Sequence, residues 1–236
     1  MQRQIVALGG GGFSMEAGGL ADDYLLSLCP RERPRVCFLP SASGDADHYV
    51  VRFYRAFGHR CEASHVSLFR RDGGPRRVGS HLLAQDLIYV GGGCLISLLA
   101  VWRAHGIDAI LRECWEAGVV LCGVSAGSLC WFETGLTAYH HEPRRFDGLG
   151  LLPYSNAVHY DDEPNRRPDY HAALRAGMPG GYAASDGAVL HFVGTELARV
   201  ATSRPHARAY RVEPVDGVVV EAALDASPLG AVAVAA

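Results

Sequence analysis

The sequence predicts an α/β fold, a mostly parallel sheet with helices on both faces. Between residues 4 and 133, short apolar segments without polar alternation, typical of strands covered on both sides, alternate with helix-length segments. Several of these apolar segments run directly into glycines, as strands do where a sheet meets its loops. The 236 residues, 49% apolar and 20% charged, suffice for a full core, so we expect a single domain over residues 1–236.

The first half of the chain supplies four predicted strands and four predicted helices. The strands are expected at residues 4–8, 34–40, 62–68 and 86–90, the third near a sheet edge because its polarity alternates loosely. The helices are expected at residues 16–29, 48–57, 95–105 and 107–117, and a Gly/Pro/Arg surface loop at 70–77. Alternating strands and helices predict a sheet whose active site lies at the carboxyl ends of the strands.

Four consecutive glycines, residues 9–12, follow the first predicted strand. A dinucleotide-binding fingerprint needs a glycine at its sixth position, but counting from Gly9 or Gly10 places Ser14 or Met15 there. We therefore interpret these glycines as a loop in which main chain approaches closely at the edge of the sheet.

Residues 119–133, VVLCGVSAGSLCWFE, predict a buried strand that breaks sharply into a helix at 126–133, with Ser125 at the break. Gly123 and Gly127 complete a G-x-S-x-G pattern, in which flanking side chains would collide with the neighbouring strand and helix. The pattern alone is common, but a strand before it and a helix after it favour a nucleophile over a structural turn. The backbone N–H of Ala126 would face an oxyanion formed at Ser125, and the loop after the fourth strand could add that of Gly93.

Composition excludes several other chemistries. All 22 basic residues are arginine, so a P-loop lysine, Schiff-base chemistry and a Ser-Lys dyad are excluded. The net charge of -3 predicts no nucleic-acid partner. No apolar segment has membrane-spanning length and the N-terminus does not resemble a signal peptide, which predicts a cytoplasmic protein without membrane contact. The seven cysteines contain no C-x-x-C and predict no metal site.

The second half of the chain is less regular but contains the candidate partners of the serine. Residues 134–147 are polar and irregular, 169–176 predict a helix, and strands at 182–193, 198–200, 209–212 and 218–222 predict a C-terminal β meander. A serine nucleophile needs a base, and among the 11 histidines His159 ends a short strand at 156–160 and opens an acidic loop. Asp186 could orient that base, although Asp186-Gly187 also fits a hairpin turn. Glu133, about 12 Å farther along the predicted helix, is less suitable.

Four segments, taken together and in this order, resemble peptidase E, the aspartyl dipeptidase family of serine peptidases. They are VGGG at 90–93, GVSAGS around Ser125, His159-Tyr160 and Asp186-Gly187, and the similarity covers roughly residues 4–200. The resemblance implies a class I glutamine amidotransferase-like fold with serine replacing cysteine, and no metal or cofactor. It implies Ser125 as nucleophile, His159 as general base and Asp186 as the acid, where the family has a glutamate followed by glycine. The backbone N–H groups of Gly93 and Ala126 would form the oxyanion hole.

The resemblance also implies hydrolysis of dipeptides or short peptides with an N-terminal aspartate, through an acyl-enzyme. An arginine after the histidine reads the substrate carboxylate in the family; Arg166 and Arg167 are the candidates here, although an RR pair also fits a solvated surface. Cys94 and Ala138 stand where the family has asparagine and aspartate, so the substrate is less certain than the reaction.

Two alternatives therefore stay open. The same triad could act on another amide, such as a β-aspartyl or cyanophycin-like linkage, or the chain could be an inactive module that binds a small anion. The resemblance is compatible with a homodimer, whereas the sequence itself leaves the oligomeric state open.

Overall fold

The protein contains two β-sheets, seen in a computed structural model that describes residues 2–16, 19–70, 75–139 and 142–230. The strands are, in chain order, β1 (Gln4–Leu8), β2 (Arg35–Leu39), β3 (Glu62–His65), β4 (Leu87–Val90), β5 (Val120–Val124), β6 (Phe132–Tyr139), β7 (Glu142–Asp147), β8 (Leu152–Val158), β9 (Gly181–Ala184), β10 (Ala188–Val193), β11 (Glu196–Thr202), β12 (Ala209–Val215), β13 (Val218–Ala223) and β14 (Ser227–Pro228). The helices are α1 (Leu20–Ser27), α2 (Asp47–Phe57), α3 (Val78–Leu83), α4 (Leu95–His105), α5 (Ile107–Glu116), α6 (Ala126–Leu129) and α7 (Arg166–Arg175).

The larger sheet has eight strands in the order β14-β11-β10-β1-β5-β4-β2-β3. Five neighbouring strands, from β1 to β3 in that order, pair in parallel. On the other side β10 is antiparallel to both β1 and β11, and the short strand β14 pairs in parallel with β11. Because β1, β5 and β4 are adjacent and parallel, the loops after them meet at one edge. These loops carry the four glycines at 9–12, Ser125 and the glycines at 91–93.

Helices cover both faces of the larger sheet, because each presents an apolar stripe to it. On α2, Tyr49, Phe53 and Phe57 recur every four residues and join a buried aromatic cluster with α1. On the other face, α4 buries Leu98 and Trp102 in a second cluster that also contains side chains of α3 and α5. Within the described residues no helix combines the length and the apolar character that crossing a bilayer requires.

The second sheet has six strands in the order β13-β12-β9-β8-β6-β7. Its central strands β6, β8 and β9 run parallel, and the outer strands are antiparallel to their neighbours. Since β8 and β9 are adjacent and parallel, with Val158 opposite Ala184, the residues that follow them leave the sheet side by side. His159 follows β8 and Asp186 follows β9.

The predicted α/β class is confirmed, and the first half of the chain follows the predicted order of elements. The helix predicted at 16–29 is shorter and begins at Leu20, and the sequence reasoning missed α3. The strand predicted at 182–193 is two strands, β9 and β10, which the residues 185–187 separate and which belong to different sheets. The other predicted C-terminal strands are present, β11 in the larger sheet with β10 and β12 and β13 in the second sheet with β9.

Two predictions after Ser125 were wrong. The helix predicted at 126–133 ends at Leu129, and the stretch 134–147, predicted to be irregular, contributes to β6 and β7, which pair antiparallel. Trp131 and Phe132 are fully buried, and burying these large side chains in the core favours the early turn into a strand. Residues 71–74 of the predicted surface loop, and His140 and His141 in the predicted irregular stretch, lie outside the described residues.

Candidate active site

Ser125 occupies a strained turn between β5 and α6. Its backbone has φ 55° and ψ -116°, an unfavourable conformation for a residue with a side chain. The flanking glycines make this turn possible: a Cβ on Gly123 would lie 2.1 Å from the Gly127 carbonyl oxygen, and one on Gly127 would lie 2.3 Å from that of Val90. The G-x-S-x-G pattern is therefore required by close packing of α6 against β4 and β5.

His159 points at Ser125 from the second sheet. Its Nε2 lies 2.8 Å from the Ser125 Oγ, close enough for the hydroxyl to donate a hydrogen bond to the ring. His159 also has a positive φ of 54°, and its backbone N–H donates to the Gly9 carbonyl at 3.3 Å. The glycine loop after β1 therefore helps to fix the turn that carries the imidazole.

Asp186 completes a chain of hydrogen bonds with the other two side chains. Its Oδ1 lies 2.6 Å from the His159 Nδ1, which donates in the tautomer that leaves Nε2 free to accept. The hydrogen bond with His159 outweighs the effect of burial and lowers the pKa of Asp186, with a further contribution from the nearby Arg204. Asp186 is not in a hairpin turn, because β9 and β10 belong to different sheets. Gly10 makes room for the pair, since a Cβ there would lie 2.0 Å from Oδ1.

The candidate oxyanion donors flank Ser125, with Gly93 in the loop after β4 and Ala126 at the start of α6. A Cβ on Gly92 would be 3.3 Å from the Ser125 Cβ, which places the loop after β4 directly against the serine. The Gly92 N–H donates to the Tyr49 hydroxyl at 3.2 Å and is thereby occupied. The N–H groups of Gly93 and Ala126 have no acceptor among the described residues, so they are free to donate to a substrate oxygen.

Arg166 and Arg167, the predicted carboxylate readers, have different surroundings. Arg167 forms ion pairs with Asp161 and Glu221, and its guanidinium carbon lies 4.6 and 4.8 Å from the ring centres of two tyrosines, Tyr160 and Tyr210. Its charge is therefore already neutralised within the protein. Arg166 begins α7 and is 9% exposed.

Arg166 borders a cavity of about 220 Å³, which is also lined by Glu163, four residues after His159. The Arg166 guanidinium pairs with Glu163, whose backbone N–H donates to the His159 carbonyl at 3.0 Å, and the Arg166 Nε has no hydrogen-bond partner among the described residues. Ala138 also lines this cavity. Arg166 and Ala138, two positions that the sequence connected with substrate recognition, therefore line the same cavity.

Cys94, the other departure, caps the start of α4 beside the glycine loop. Partial burial opposes ionisation of its thiol, but hydrogen bonds from the Ser97 side chain and from the N–H groups of Ser97 and Ile96 outweigh it and lower the pKa of Cys94. Burial instead raises the pKa of the six other cysteines. Within the described part of the chain no three His, Cys, Asp or Glu side chains group as metal ligands would.

Sequence reasoning missed the residues behind Asp186. Arg204 lies 3.7 Å from the Asp186 Oδ2, and Glu16 lies 3.1 Å from Arg204. Asp162 accepts a hydrogen bond of 2.6 Å from the Asp186 N–H. Only Asp162, three residues after His159, carried a local signal, whereas Arg204 and Glu16 come from distant segments.

Comparison with known proteins places this geometry in context. The model of Peptidase family S51 matches residues 5–200. The chain is 46% identical over 231 residues to the uncharacterized peptidase YgaJ of Bacillus subtilis, covering 97% of this chain and 100% of the relative. It is 35% identical over 97 residues to peptidase E of Shewanella denitrificans, covering 39% of each. The crystal structure of a peptidase from an acI-B1 Actinobacterium has the same fold, with a TM-score of 0.68 at 15% identity over 96% of this chain and 95% of that one.

Proposed function

The chain belongs to peptidase family S51, and from that premise we propose that it is a serine peptidase that hydrolyses short peptides with an N-terminal aspartate. The observation that carries the proposal is the continuous hydrogen-bonded chain from Ser125 through His159 to Asp186. A nucleophile on a strained turn, a base within hydrogen-bond reach and an acid that fixes the base's tautomer are the parts that acyl transfer requires.

In the proposed mechanism, the Ser125 Oγ attacks the carbonyl carbon of the scissile bond while His159 Nε2 takes its proton. Asp186 stabilises the imidazolium that forms. The N–H groups of Gly93 and Ala126 stabilise the oxyanion, His159 returns the proton to the leaving amine, and a water molecule activated by the same imidazole hydrolyses the acyl-enzyme.

Arg166 is the side chain we propose to read the substrate's acidic group. It borders the cavity that Glu163 and Ala138 also line, and its buried Nε has no hydrogen-bond partner among the described residues, whereas Arg167 is held by two carboxylates. A substrate carboxylate at this position would compete with Glu163 for the guanidinium, whose fork geometry suits two carboxylate oxygens.

A second candidate substrate is a β-linked aspartyl amide. Two features of the cavity favour it. Arg166 is paired with Glu163 rather than free, and Ala138 stands in the cavity wall where an aspartate is expected from the family resemblance. The inactive anion-binding module receives less support, because it predicted a His159 directed away from Ser125.

Labelling with a fluorophosphonate tests the reaction class. We expect wild type to be labelled at Ser125 and Ser125→Ala and His159→Gln to lose labelling and about 10³-fold or more of peptide hydrolysis. Ser128→Ala, which changes the neighbouring serine of the same segment, should still be labelled. Unchanged hydrolysis by Ser125→Ala would reject the proposal.

A panel of α- and β-linked aspartyl dipeptides, with alanyl dipeptides as controls, tests the substrate. Arg166→Met should raise KM for the preferred aspartyl series and leave the alanyl series unchanged. Preference for the β-linked series would select the second candidate, and equal rates on alanyl peptides would reject specificity for an acidic residue.

We further propose a cytoplasmic location, which the free state of all seven cysteines supports. The homodimer stays a prediction.

A further inference from the structure

The carboxylate of Asp186 faces two partners with its two oxygens. Oδ1 accepts the hydrogen bond from His159 Nδ1 at 2.6 Å, and Oδ2 lies 3.7 Å from Arg204 Nη1. Asp186 is 9% exposed, so its side chain has little contact with water. The carboxylate thus has a charge-assisted hydrogen bond on one oxygen and an ion pair, longer than a hydrogen bond, on the other.

Arg204 is itself held by a nearly buried acid. Its Nε donates to the Glu16 Oε1 at 3.1 Å, and the Ser203 hydroxyl donates to the same oxygen at 2.7 Å. The Glu16 side chain is 10% exposed and that of Arg204 is 36% exposed. The carboxylate of Glu16 thus anchors the Arg204 guanidinium beside Asp186. Successive contacts join Ser125, His159, Asp186, Arg204 and Glu16 in that order.

Two glycines make this arrangement possible, and one belongs to the 9–12 loop. A Cβ on Gly11 would lie 2.5 Å from the Glu16 Oε1, and one on Gly187 would lie 2.7 Å from the Arg204 Cγ. Both glycines also have positive φ, at 105° and 83°. The glycine-rich loop, which does not match a nucleotide-binding fingerprint, thus leaves space for the carboxylates of Asp186 and Glu16.

We propose that Arg204, anchored by Glu16, is a positioning residue that holds Asp186 with Oδ1 directed at His159. The inference rests on the proposed function of Ser125, His159 and Asp186. Arg204 touches neither the serine nor the substrate in this scheme, and it acts through the orientation and charge of the acid.

The charges around the pair give this role a specific signature. Among the described residues, the charged groups that contact His159, Asp186 or their backbone are Arg204, Asp162 and Glu163, and Glu16 lies behind Arg204. Removing the Arg204 charge leaves Glu16 unbalanced, which favours the imidazolium form of His159. Removing the Glu16 charge leaves Arg204 unbalanced, which disfavours that form. The two neutral variants should therefore shift the titration of His159 in opposite directions.

The experiment compares Arg204→Met, Arg204→Lys and Glu16→Gln with wild type. The proton NMR titration of the His159 ring, assigned by the signal that His159→Gln removes, should move up by about 0.5 pH unit in Arg204→Met and down by a smaller amount in Glu16→Gln, because Glu16 lies farther from the ring. The acidic limb of the pH profile of kcat/KM should move in the same directions. We expect kcat to fall about tenfold in Arg204→Met with KM nearly unchanged, and Arg204→Lys to recover part of it.

The outcomes separate this inference from the proposed function. If wild type is labelled at Ser125 but neither variant moves the His159 titration, the positioning role is rejected and the peptidase remains. If wild type is not labelled, the proposed function fails, and the NMR titrations still decide whether Arg204 and Glu16 act on His159. If Arg204→Met does not fold, the Glu16→Gln and Arg204→Lys titrations carry the decision, and an unmoved titration in Glu16→Gln rejects the inference.

Discussion

Two of the three proposed catalytic residues are among the four described non-glycine residues with positive φ, the others being Asp45 and Asp216. Ser125 and His159 both have φ near 55°, in the region that side chains disfavour. The cost of such conformations is of order 1–3 kcal/mol each, so the surrounding structure must over-determine them. Hydrogen bonds from the Ser125 N–H to Leu8 and from the His159 N–H to Gly9 tie both turns to the end of β1.

The sequence predicted the first of these turns but not the second. Gly123 and Gly127 are visible neighbours of Ser125 because their role is local. The turn at His159 is held by two backbone hydrogen bonds, from His159 N–H to Gly9 and from Tyr160 N–H to Ala184 at 3.2 Å. Gly9 and Ala184 are both distant from His159 along the chain. Arg204 and Glu16 were missed for the same reason, since no spacing pattern records a contact between such remote segments.

Gly10→Ala should strongly reduce activity through a steric clash alone. The new Cβ would lie 2.0 Å from the Asp186 Oδ1 and 3.0 Å from the His159 Cε1, so the carboxylate must move away from the ring. Since Gly10 does not have a positive φ, the substitution adds no backbone strain of that kind, and a loss of activity reports the steric clash. We expect kcat/KM to fall by about 10²-fold, measured with the preferred dipeptide.

Gly79→Ala provides the matched control for this substitution. Gly79 lies in α3, and its Cβ would make an ordinary 3.6 Å contact with Ile110. This variant should keep full activity and gain about 0.5–1 kcal/mol of stability from higher helix propensity. Wild-type activity in Gly10→Ala would show that Asp186 can work from another position.

Among the elements, the C-terminal hairpin of β12 and β13 supports the loop that carries His159. Glu221 on β13 accepts a hydrogen bond of 2.7 Å from the Tyr160 hydroxyl, lies 3.1 Å from His171 Nε2 and pairs with Arg167. Tyr210 on β12 donates to Asp161 at 3.1 Å. Burial and the Glu221 carboxylate raise the pKa of Tyr160, so its hydroxyl stays a donor. This hairpin lies beyond residues 5–200, the part that the family model matches.

The sequence predicted β12 and β13 but could not predict that they support the loop after His159. Their apolar pattern indicates strands, whereas the partners of Glu221 come from the loop after β8 and from α7. Arg167 illustrates the limit: its position after His159 suggested substrate binding, and only the three-dimensional contacts show that tyrosine rings and two carboxylates surround it.

Glu221→Gln should destabilise the protein and slow the reaction. The substitution keeps the shape of the side chain but removes the charge of a carboxylate that is only 16% exposed and that pairs with Arg167. We expect a loss of about 1–3 kcal/mol in the free energy of unfolding, measured by urea denaturation, with a lower kcat because the turn after His159 loosens. Glu213→Gln, an exposed partner of Arg211 on the same hairpin, should change stability by less than about 0.5 kcal/mol. Equal effects of the two substitutions would contradict the supporting role of Glu221.

At the scale of the whole molecule, the proposed active site lies where the two sheets meet. Ser125 leaves the larger sheet, His159 leaves the second sheet, and Asp186 sits where the chain passes from one to the other. The alternation of strands and helices predicted the α/β class, because burial pattern and spacing are local properties. It could not predict that later strands divide between two sheets, because the same apolar pattern is compatible with pairing in either sheet.

The packing of helices on the larger sheet also buries an acid that the reaction does not use. Asp22 on α1 is 1% exposed, accepts a hydrogen bond from the Phe13 backbone N–H, and its Oδ1 has no hydrogen-bond partner among the described residues. Burial raises the pKa of Asp22 from 3.8 to about 7. The folded protein therefore holds a proton there that the unfolded chain releases at much lower pH.

This difference predicts that Asp22 destabilises the protein increasingly as pH rises. Because the folded-state pKa is the higher one, the penalty is absent below about pH 4, grows as pH rises and is complete above about pH 7. Asp22→Asn keeps the acceptor for Phe13 but cannot ionise, so its stability relative to wild type should increase by about 2–3 kcal/mol between pH 5 and pH 8. Urea denaturation at several pH values measures this difference. Asp23→Asn, which alters the adjacent exposed carboxylate paired with Arg60, should run parallel to wild type over the same range. A parallel course for Asp22→Asn as well would mean that Asp22 is already ionised in the folded core, and its unpaired oxygen would then need a partner to balance the charge.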